Sequence, residues 1–216
     1  MTTVRAVVFF DVDGTLVPGT SASRHLAPRL GHQAELQAAE DAYDAGTLDS
    51  DGWGEVDARG WAGRTPAQVR GLLEDLPLVD GIAEVLAWLR ERDVLPVLAT
   101  LAWQPVGDLL CERFGFAGRC GPRVELVDGR YTGRVAEHLD EAGKRDAAVA
   151  VAAAHGLGIG DCAAVGDSRS DVPLFQVVGL PVSFNGDHLV RPLARAVVEG
   201  GDLRAVLPAL SGWLAG

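Results

Sequence analysis

Three short apolar runs, each followed directly by polar residues, constrain the fold more than any other feature of this sequence. The runs cover residues 4–10, 94–99 and 162–165. Unbroken apolar runs of this length, rich in valine, are typical of strands that are buried on both faces of a parallel sheet. The residues that follow the runs are Asp11, Thr100 and Gly166-Asp167. Because the carboxyl ends of parallel strands meet at one edge of a sheet, these polar residues predict a shared ligand site.

Helical patterns separate the runs, so the chain alternates between strand and helix. The predicted helices cover residues 81–92, 105–114 and 144–155, and a further strand at 180–184 precedes closing helices at 189–198 and 203–214. This alternation predicts an α/β fold with a doubly wound, Rossmann-like parallel sheet.

Residues 17–78 interrupt the alternation. They contain a helical stretch at 32–45, a glycine-rich segment at 46–63 and a helix start at Thr65-Pro66. We predict a small helical cap, residues 17–78, inserted after the first strand into an α/β core formed by residues 1–16 and 79–216. Within the core, strand-like segments on both sides of Asp128-Gly129 predict an antiparallel flap over residues 124–135, since both turn residues tolerate positive φ.

Composition excludes several classes of protein. With 19 basic and 30 acidic residues the net charge is −11, so we expect no nucleic acid partner. The apolar runs fall well short of the ~20 residues that span a bilayer, and residues 1–5 lead into a strand without a secretory signal. We therefore expect a cytoplasmic protein without a membrane partner.

The three cysteines, Cys111, Cys120 and Cys162, lack the spacing of a disulfide framework or a zinc site. An acidic composition does not distinguish a monomer from a homodimer.

Two carboxylates directly follow the first predicted strand. If the chain stays extended, Asp11 and Asp13 point to the same side while Val12 points to the other. Such a pair suits a nucleophile with a general acid/base, and a hard divalent cation would relieve their repulsion. The alternative is that residues 11–15 form only a polar turn and a helix cap.

Further polar groups strengthen the catalytic interpretation. Asp167 and Asp171 follow another strand and can add metal ligands. Thr100 supplies a hydroxyl, and Lys144 combines a cation with the amino end of a helix. These groups predict a pocket for phosphate and magnesium. Taken alone, Lys144 is also typical of a solvated helix surface and Thr100 of a helix cap.

At this point the sequence resembles the haloacid dehalogenase superfamily, and within it the phosphoserine phosphatase-like branch with a small helical cap. Four motifs agree in order and spacing: Phe10-Asp11-Val12-Asp13-Gly14-Thr15-Leu16, then Thr100 after an apolar strand, then Lys144, then Gly166-Asp167-Ser168-Arg169-Ser170-Asp171-Val172-Pro173-Leu174-Phe175. The first and the fourth motif are specific, whereas the middle two are single residues. The predicted flap before Lys144 is also similar to this branch.

The resemblance implies a Mg²⁺-dependent phosphatase that works through a phosphoaspartyl intermediate. It implies that Asp11 is the nucleophile and Asp13 the general acid/base, and that Thr100 and Lys144 take part in catalysis. It implies metal binding by Asp11, Asp167 and the backbone carbonyl of Asp13, with Asp171 orienting these groups. The residues expected to bind the phosphoryl group or the substrate are Thr100, Leu101, Lys144, Ser170 and, from the cap, Arg59.

The substrate is expected to be a small phosphorylated metabolite other than phosphoserine. In phosphoserine phosphatases an acid shortly after the first motif and an arginine in the cap hold the amino acid, but residues 17–25 contain no acid. Thr100-Leu101-Ala102-Trp103 also replaces the small Ser-Gly-Gly motif of that branch. A neutral phosphorylated alcohol or a sugar-like metabolite is therefore at least as suitable. The cap residues that can contact it are Arg24, His25, Trp53, Arg59 and Trp61, unless they only fill the cap's own core or lie in solvent.

Two other functions are compatible with the same residues. A phosphomutase would use the same acids and would benefit from basic groups that face the pocket. The other is a non-catalytic phosphoacceptor or binding module. A phosphoacceptor would keep a long-lived acyl phosphate on Asp11, whereas the retained acid Asp13 predicts rapid hydrolysis. The full set of acids with Lys144 argues against a binding protein with a vestigial pocket.

Overall fold

A computed structural model of the protein describes residues 4–216. The N-terminal residues 1–3, on which part of the expectation about a secretory signal rests, lie outside the described residues. In the part of the chain that the structure describes, no helix has the length and the hydropathy needed to cross a membrane.

A six-stranded, fully parallel sheet forms the centre of the molecule, in the order β3-β2-β1-β6-β7-β8. Its strands are β1 (Ala6–Phe10), β2 (Val94–Ala99), β3 (Arg119–Cys120), β6 (Cys162–Gly166), β7 (Leu180–Phe184) and β8 (Ala196–Val198). The chain runs outward from β1 on one side and then crosses to build the other side. This arrangement confirms the predicted doubly wound α/β sheet, and it places the change of crossover direction next to β1.

Helices cover both faces of the sheet. They are α5 (Ile82–Arg90), α6 (Gln104–Phe114), α7 (Glu141–Ala154), α8 (Val172–Phe175) and α9 (Leu207–Ala215). Alternate residues of β1 pack on opposite layers: Val8 and Phe10 belong to the cluster with α5, α6 and α9, whereas Val7 and Phe9 belong to the cluster with α7 and α8. Burial on both faces explains why β1 reads as an unbroken apolar run.

Four helices lie between β1 and α5: α1 (Ala22–Leu30), α2 (Gln33–Asp44), α3 (Ser50–Arg59) and α4 (Pro66–Leu73). We call them the cap helices. Thr65 and Gln68 form the capping box that begins α4, as the Thr65-Pro66 pair predicts. The glycine-rich segment differs from the expectation, because α3 crosses it. Asp49 accepts a hydrogen bond from the Gly52 amide and begins this helix in spite of the glycines.

The flap is confirmed as an antiparallel pair, β4 (Arg123–Val127) and β5 (Arg130–Glu137). Asp128 has φ 48° and Gly129 has φ 74°, the left-handed conformations that the turn requires. Backbone hydrogen bonds join the flap to the segment before α4: Gly63 donates to Tyr131, and Tyr131 donates to Arg64. The flap therefore packs on the cap helices.

The C-terminal part departs from the predicted helices. The predicted helix over residues 189–198 is wrong: the segment forms a short 3₁₀ turn, Arg191–Leu193, and then the edge strand β8. Pro192 is compatible with the first turn of a helix only, and the β-branched Val197 and Val198 pair with β7 instead. The predicted helix over 203–214 is a 3₁₀ turn, Leu203–Val206, that continues directly as α9, with Pro208 in the first turn of that helix.

Candidate active site

The carboxyl ends of β1, β2 and β6 bring the predicted motifs to one edge of the sheet. Phe10 pairs with Leu98 of β2 and with Val165 of β6, and the Asp11 amide donates to the Val165 carbonyl at 2.9 Å. The residues that follow these three strands, Asp11, Thr100 and Asp167, are therefore held in adjacent positions. The expected meeting of the polar strand ends is observed.

Lys144 lies between two of the acids. Its side chain is completely buried, and Nζ lies 3.1 Å from Asp11 Oδ1 and 2.7 Å from Asp171 Oδ1. It also donates to Ser170 Oγ at 3.3 Å. The helix starts earlier than predicted, at Glu141, because Asp140 caps it through the Gly143 amide, so Lys144 ends the first turn rather than beginning it. Lys144 is also the only lysine in the sequence.

Asp171 organises the loop that follows β6. Its Oδ2 accepts from the amides of Asp167 at 2.9 Å and Ser168 at 3.2 Å, while Oδ1 accepts from Lys144. A Cβ on Gly166 would lie 2.2 Å from the Asp171 carboxyl carbon, so only glycine leaves room for this carboxylate. Both Asp171 oxygens thus accept hydrogen bonds from the protein, and they fix the loop and Lys144.

Asp167 is held against the first motif. Thr15 Oγ1 donates to its Oδ1 at 2.9 Å. The other carboxylate oxygen of Asp167, Oδ2, would lie only 2.1 Å from a Cβ atom on Gly14. Gly14 also has a positive φ of +79°. Both the close approach and the left-handed backbone require glycine at position 14.

Asp13 stands beside this cluster under the cap helices. Its Oδ1 accepts from the Ala22 amide, at the start of α1, at 2.7 Å. The pKa of Asp13 is raised to about 7, mainly by burial. The hydrogen bond from Ala22 lowers this pKa, whereas the negative charges of Asp11 and Asp57 raise it. A carboxyl group with this pKa exchanges its proton near neutral pH, as a general acid/base must.

The other charges of the site are strongly coupled. Burial, together with the neighbouring Asp11 charge, raises the pKa values of Asp167 and Asp171. Burial alone would lower the pKa of Lys144, but the carboxylates of Asp11 and Asp171 outweigh it and raise this pKa. Lys144 therefore stays charged, and the acids around it have more negative charge than one cation balances.

The donor set fits a hard divalent cation. Asp11, Asp167 and Asp171 each offer a carboxylate oxygen within 4.8 Å of the others. Oxygen ligands of this kind suit Mg²⁺. Since both Asp171 oxygens already accept protein hydrogen bonds, Asp11 and Asp167 are the acids better placed to bind a cation directly.

The second motif forms a short turn after β2. The Ala102 amide donates to Thr100 Oγ1 at 3.0 Å, and both residues are buried. Leu101 faces the cavity above the strand ends. Three residues after Thr100, Trp103 is buried between this turn and α3.

A cavity of about 930 Å³ opens from the strand ends toward the cap helices and the flap. Asp13, Asp167 and Ser170 lie on its floor, and Asp11, Thr100 and Lys144 are buried beneath. Its upper wall mixes aromatic, apolar and charged side chains, among them Arg24, Glu40, Tyr43, Trp53, Trp103, His138, Leu139 and Leu189. The space is ample for an organic group attached to a phosphate.

The predicted substrate contacts of the cap fall into two groups. Arg24 and Trp53 line the cavity. Arg59 does not: it is exposed at the end of α3, and its backbone packs against Gly133 of the flap. His25 contacts Asp75 and the Leu72 carbonyl instead. Trp61 is fully buried, where it packs edge-on against Trp103 and against Tyr131 of the flap, so it fills a hydrophobic core.

Sequence reasoning missed three acidic or aromatic cap residues near the cavity. Glu40 accepts both Arg24 Nε contacts, at 2.9 and 2.8 Å, and burial raises its pKa. Tyr43 and the completely buried Asp57 are the other two. Each lies within a helix without a recognisable motif, and only the tertiary structure brings them to the site.

Comparison with known proteins agrees with this geometry. The family model of the haloacid dehalogenase-like hydrolases matches residues 8–176. The phosphoserine phosphatase SerB1 of Mycobacterium tuberculosis is 32% identical, over 92% of this chain and 70% of its own length. A phosphoserine phosphatase of Streptomyces coelicolor is 29% identical over 93% of this chain and 49% of its own.

Among solved structures, a phosphoserine phosphatase with a phospho-aspartyl intermediate analogue superposes with a TM-score of 0.83. The alignment covers 94% of this chain and 97% of that one at 22% identity, so it shows the shared fold. The family model extends from β1 through the loop after β6 and thus includes all four motifs. The chain belongs to the haloacid dehalogenase-like hydrolase family, as a phosphatase of its phosphoserine phosphatase-like branch.

Proposed function

We propose that the protein hydrolyses a small phosphorylated metabolite, with Mg²⁺ as cofactor, through a phosphoaspartyl intermediate on Asp11. The observation that carries this proposal is the contact of buried Lys144 with both Asp11 and Asp171 below a cavity that Asp13 and Asp167 enter. Four acids around one fixed cation suit a doubly charged phosphate only together with a divalent cation, which Asp11 and Asp167 would hold.

In the first step Asp11 Oδ attacks phosphorus and the bond to the leaving oxygen breaks, while Asp13 donates its proton to that oxygen. In the second step Asp13, now a carboxylate, takes a proton from water, which attacks phosphorus and releases Asp11 and inorganic phosphate. The pKa of about 7 that burial gives Asp13 suits both roles. Asp11 and Asp167 would bind Mg²⁺, whose charge would stabilise the transferring phosphoryl oxygens.

The proposed phosphoryl-binding groups are Lys144, Thr100, Ser170 and the amides near Leu101. Lys144 keeps its charge because two carboxylates raise its pKa, so it offers a permanent cation at the buried end of the site. The Thr100 turn is closed by its own hydroxyl, which fixes the backbone near the phosphate. Preorganised donors of this kind contribute most where charge develops in the transition state.

For the leaving group we propose a neutral phosphorylated alcohol or a sugar-like metabolite. The relatives named phosphoserine phosphatase point to phosphoserine as the competing substrate. In this chain the cap arginine that lines the cavity, Arg24, is already paired with Glu40. Trp103 and Trp53 also give the cavity bulky walls. Both features favour a larger, uncharged group over an amino acid.

A phosphatase is favoured over a phosphomutase because the arginines of the cavity are paired with acids. Arg24 contacts Glu40, and Arg169 contacts Glu141 at 3.4 Å and lies over the Tyr43 ring at 4.3 Å. A mutase needs free cations to retain a second phosphate.

We also propose that residues 17–78 act as a movable cap on the core of residues 1–16 and 79–216. The Val79 amide donates to the Leu16 carbonyl, so the segment leaves and rejoins the core at one point.

Phosphate release tests the proposal. The panel contains phosphoserine, sugar phosphates and simple alcohol phosphates, each with Mg²⁺ or with excess chelator. We expect release that requires Mg²⁺ and is lost in Asp11→Asn, with neutral esters ranked above phosphoserine. Asp146→Asn is the matched control, since this exposed acid of α7 makes the same chemical change outside the site. Release that persists in Asp11→Asn would contradict the nucleophile, and a preference for phosphoserine would contradict the proposed leaving group.

A further inference from the structure

A completely buried carboxylate lies at the boundary between the cap helices and the core. Asp57, in the last turn of α3, accepts hydrogen bonds from Ser23 Oγ at 2.6 Å and Trp103 Nε1 at 2.6 Å, and lies 2.9 Å from His32 Nε2. Burying an acid is costly unless donors satisfy it, and here each donor comes from a different element. An acid at this position does not stabilise helix α3 itself, so the hydrogen-bond partners of Asp57 explain why an acid is present there.

One of these partners belongs to the second motif. Trp103 ends the loop that begins at Thr100, directly after the three positions that correspond to the Ser-Gly-Gly motif. The Trp103–Asp57 contact is the one completely buried side-chain hydrogen bond between the cap helices and the core within residues 4–216. Asp57 is not among the residues that line the cavity.

The indole of Trp103 is inserted into the cap rather than laid on its surface. A Cβ on Gly54, one turn before Asp57, would lie 3.6 Å from the far edge of the ring. On its other side the ring meets Trp61 edge-on, with centroids 6.1 Å apart. Aromatic packing therefore places the ring, and the hydrogen bond to Asp57 fixes its direction.

The loop of residues 100–103 is anchored at both ends. At its start, the Thr100 amide donates to Cys120 and its hydroxyl accepts from Ala102. At its end, the indole N–H donates to Asp57. We propose that Asp57 is a positioning residue, which holds this loop against the cap helices through Trp103. The inference rests on the proposed function only in that the loop amides bind the phosphoryl group.

Four substitutions separate this role from a general effect on stability. Trp103→Phe removes the donor and keeps an aromatic ring, and Asp57→Ala removes the acceptor without touching the cavity. Asp57→Asn keeps an oxygen for Trp103 and turns its amide toward His32, so it should restore the contact. Ser23→Ala is the matched control, because it removes the other hydrogen bond to the same Asp57 oxygen.

The first measurement is hydrogen exchange of the amides of residues 101–104, which needs no substrate. A hydrogen bond to a charged group is strong enough that its loss should speed local exchange roughly tenfold to a hundredfold. We expect this in Trp103→Phe and Asp57→Ala, and near wild-type exchange in Asp57→Asn and Ser23→Ala. Equal exchange in Trp103→Phe and wild type, or equal acceleration in Ser23→Ala, would overturn the proposal.

The second measurement is turnover of p-nitrophenyl phosphate with Mg²⁺. Asp57→Ala should lower kcat by a similar factor, roughly tenfold or more, with a smaller change in KM, and Asp57→Asn should restore kcat. A purely structural role would lower the melting temperature of Asp57→Ala but leave kcat unchanged. If the wild-type enzyme does not turn over any phosphomonoester, the proposed function fails, and the exchange data still decide whether Asp57 positions the loop.

Discussion

Replacement of Lys144 by methionine tests the electrostatic account of the site most directly. Lys144 is completely buried, and its Nζ contacts Asp11 at 3.1 Å and Asp171 at 2.7 Å. Methionine keeps the length and packing of the stem but leaves both carboxylates without their cation. Breaking a buried ion pair from one side costs about 3–5 kcal/mol. We expect Lys144→Met to lose about this much free energy of unfolding at pH 7.5 without divalent cations.

The loss should depend on pH. Burial and the neighbouring Asp11 charge already hold the folded-state pKa of Asp171 above its unfolded value. Without the Lys144 cation this pKa rises further, so Asp171 binds a proton more tightly in the folded state. Protonation then restores part of the stability as the pH falls. The difference between Lys144→Met and wild type is therefore expected to be smaller at pH 5 than at pH 8.

Urea unfolding followed by circular dichroism at both pH values measures these differences. Arg145→Met is the control: this neighbouring cation is half-buried and its ion pair is with the exposed Asp146, so its loss should change stability by less than about 0.5 kcal/mol. If Lys144→Met unfolds within that same margin of wild type, the buried pair does not hold the site together and the reasoning is wrong.

Three further predictions concern the glycine at the site, the cation and the cap. Gly14→Ala places a Cβ 2.1 Å from Asp167 at a residue with positive φ, so it should abolish phosphate release and destabilise the fold by about 1–3 kcal/mol. Gly19→Ala is the control: this residue also has positive φ but lies in open space, so the variant should retain activity in the same assay. Mg²⁺ should raise the melting temperature more at pH 8 than at pH 5.5, because the raised pKa of Asp167 lets protons compete with the metal at low pH; an equal shift in a thermal scan at both pH values would argue against metal binding there. Trp61→Ala should lower the free energy of unfolding by about 3–5 kcal/mol, measured in urea, but leave the ranking of substrates unchanged, since this side chain is buried away from the cavity.

The strands of the sheet and the polar residues that follow them were predictable because their signals are local. An apolar run such as that of β1 and a pair such as Asp11 and Asp13 are both visible in a few consecutive residues. The turn at Asp128-Gly129 was predictable for the same reason, since its conformation depends on two residues. Parallel pairing then brings the strand ends together without further information.

Features that depend on tertiary contacts were not predictable. Helix α3 crosses a glycine-rich segment because Asp49 begins it and Trp103 packs against it. Residues 196–198 form an edge strand because β7 offers a partner, although the surrounding pattern favours a helix. Arg59 is a plausible substrate contact by residue type, but the rotation of α3 leaves it exposed and turns Asp57 inward instead.

Lys144 shows how a weak local signal becomes specific in context. A lysine near the start of a helix is ordinarily a solvated residue, yet here it is the only lysine of a chain whose other cations are arginines. A compact ammonium group fits between two carboxylates about 3 Å away, where the broad, planar guanidinium of arginine would displace one of them. The exclusive use of arginine elsewhere makes this exception informative about the site.

The excess of negative charge links stability to the proposed chemistry. Asp11, Asp13, Asp167 and Asp171 share one cation, Lys144, and burial raises the pKa of three of these acids, namely Asp13, Asp167 and Asp171. The folded protein must therefore bind protons or a divalent cation at this edge of the sheet, because unbalanced buried charge is costly. A cation that relieves this repulsion stabilises the fold, and under the proposed function the same cation would prepare the site for a doubly charged phosphate. The acids that destabilise the fold are thus those that would give the site affinity for the metal.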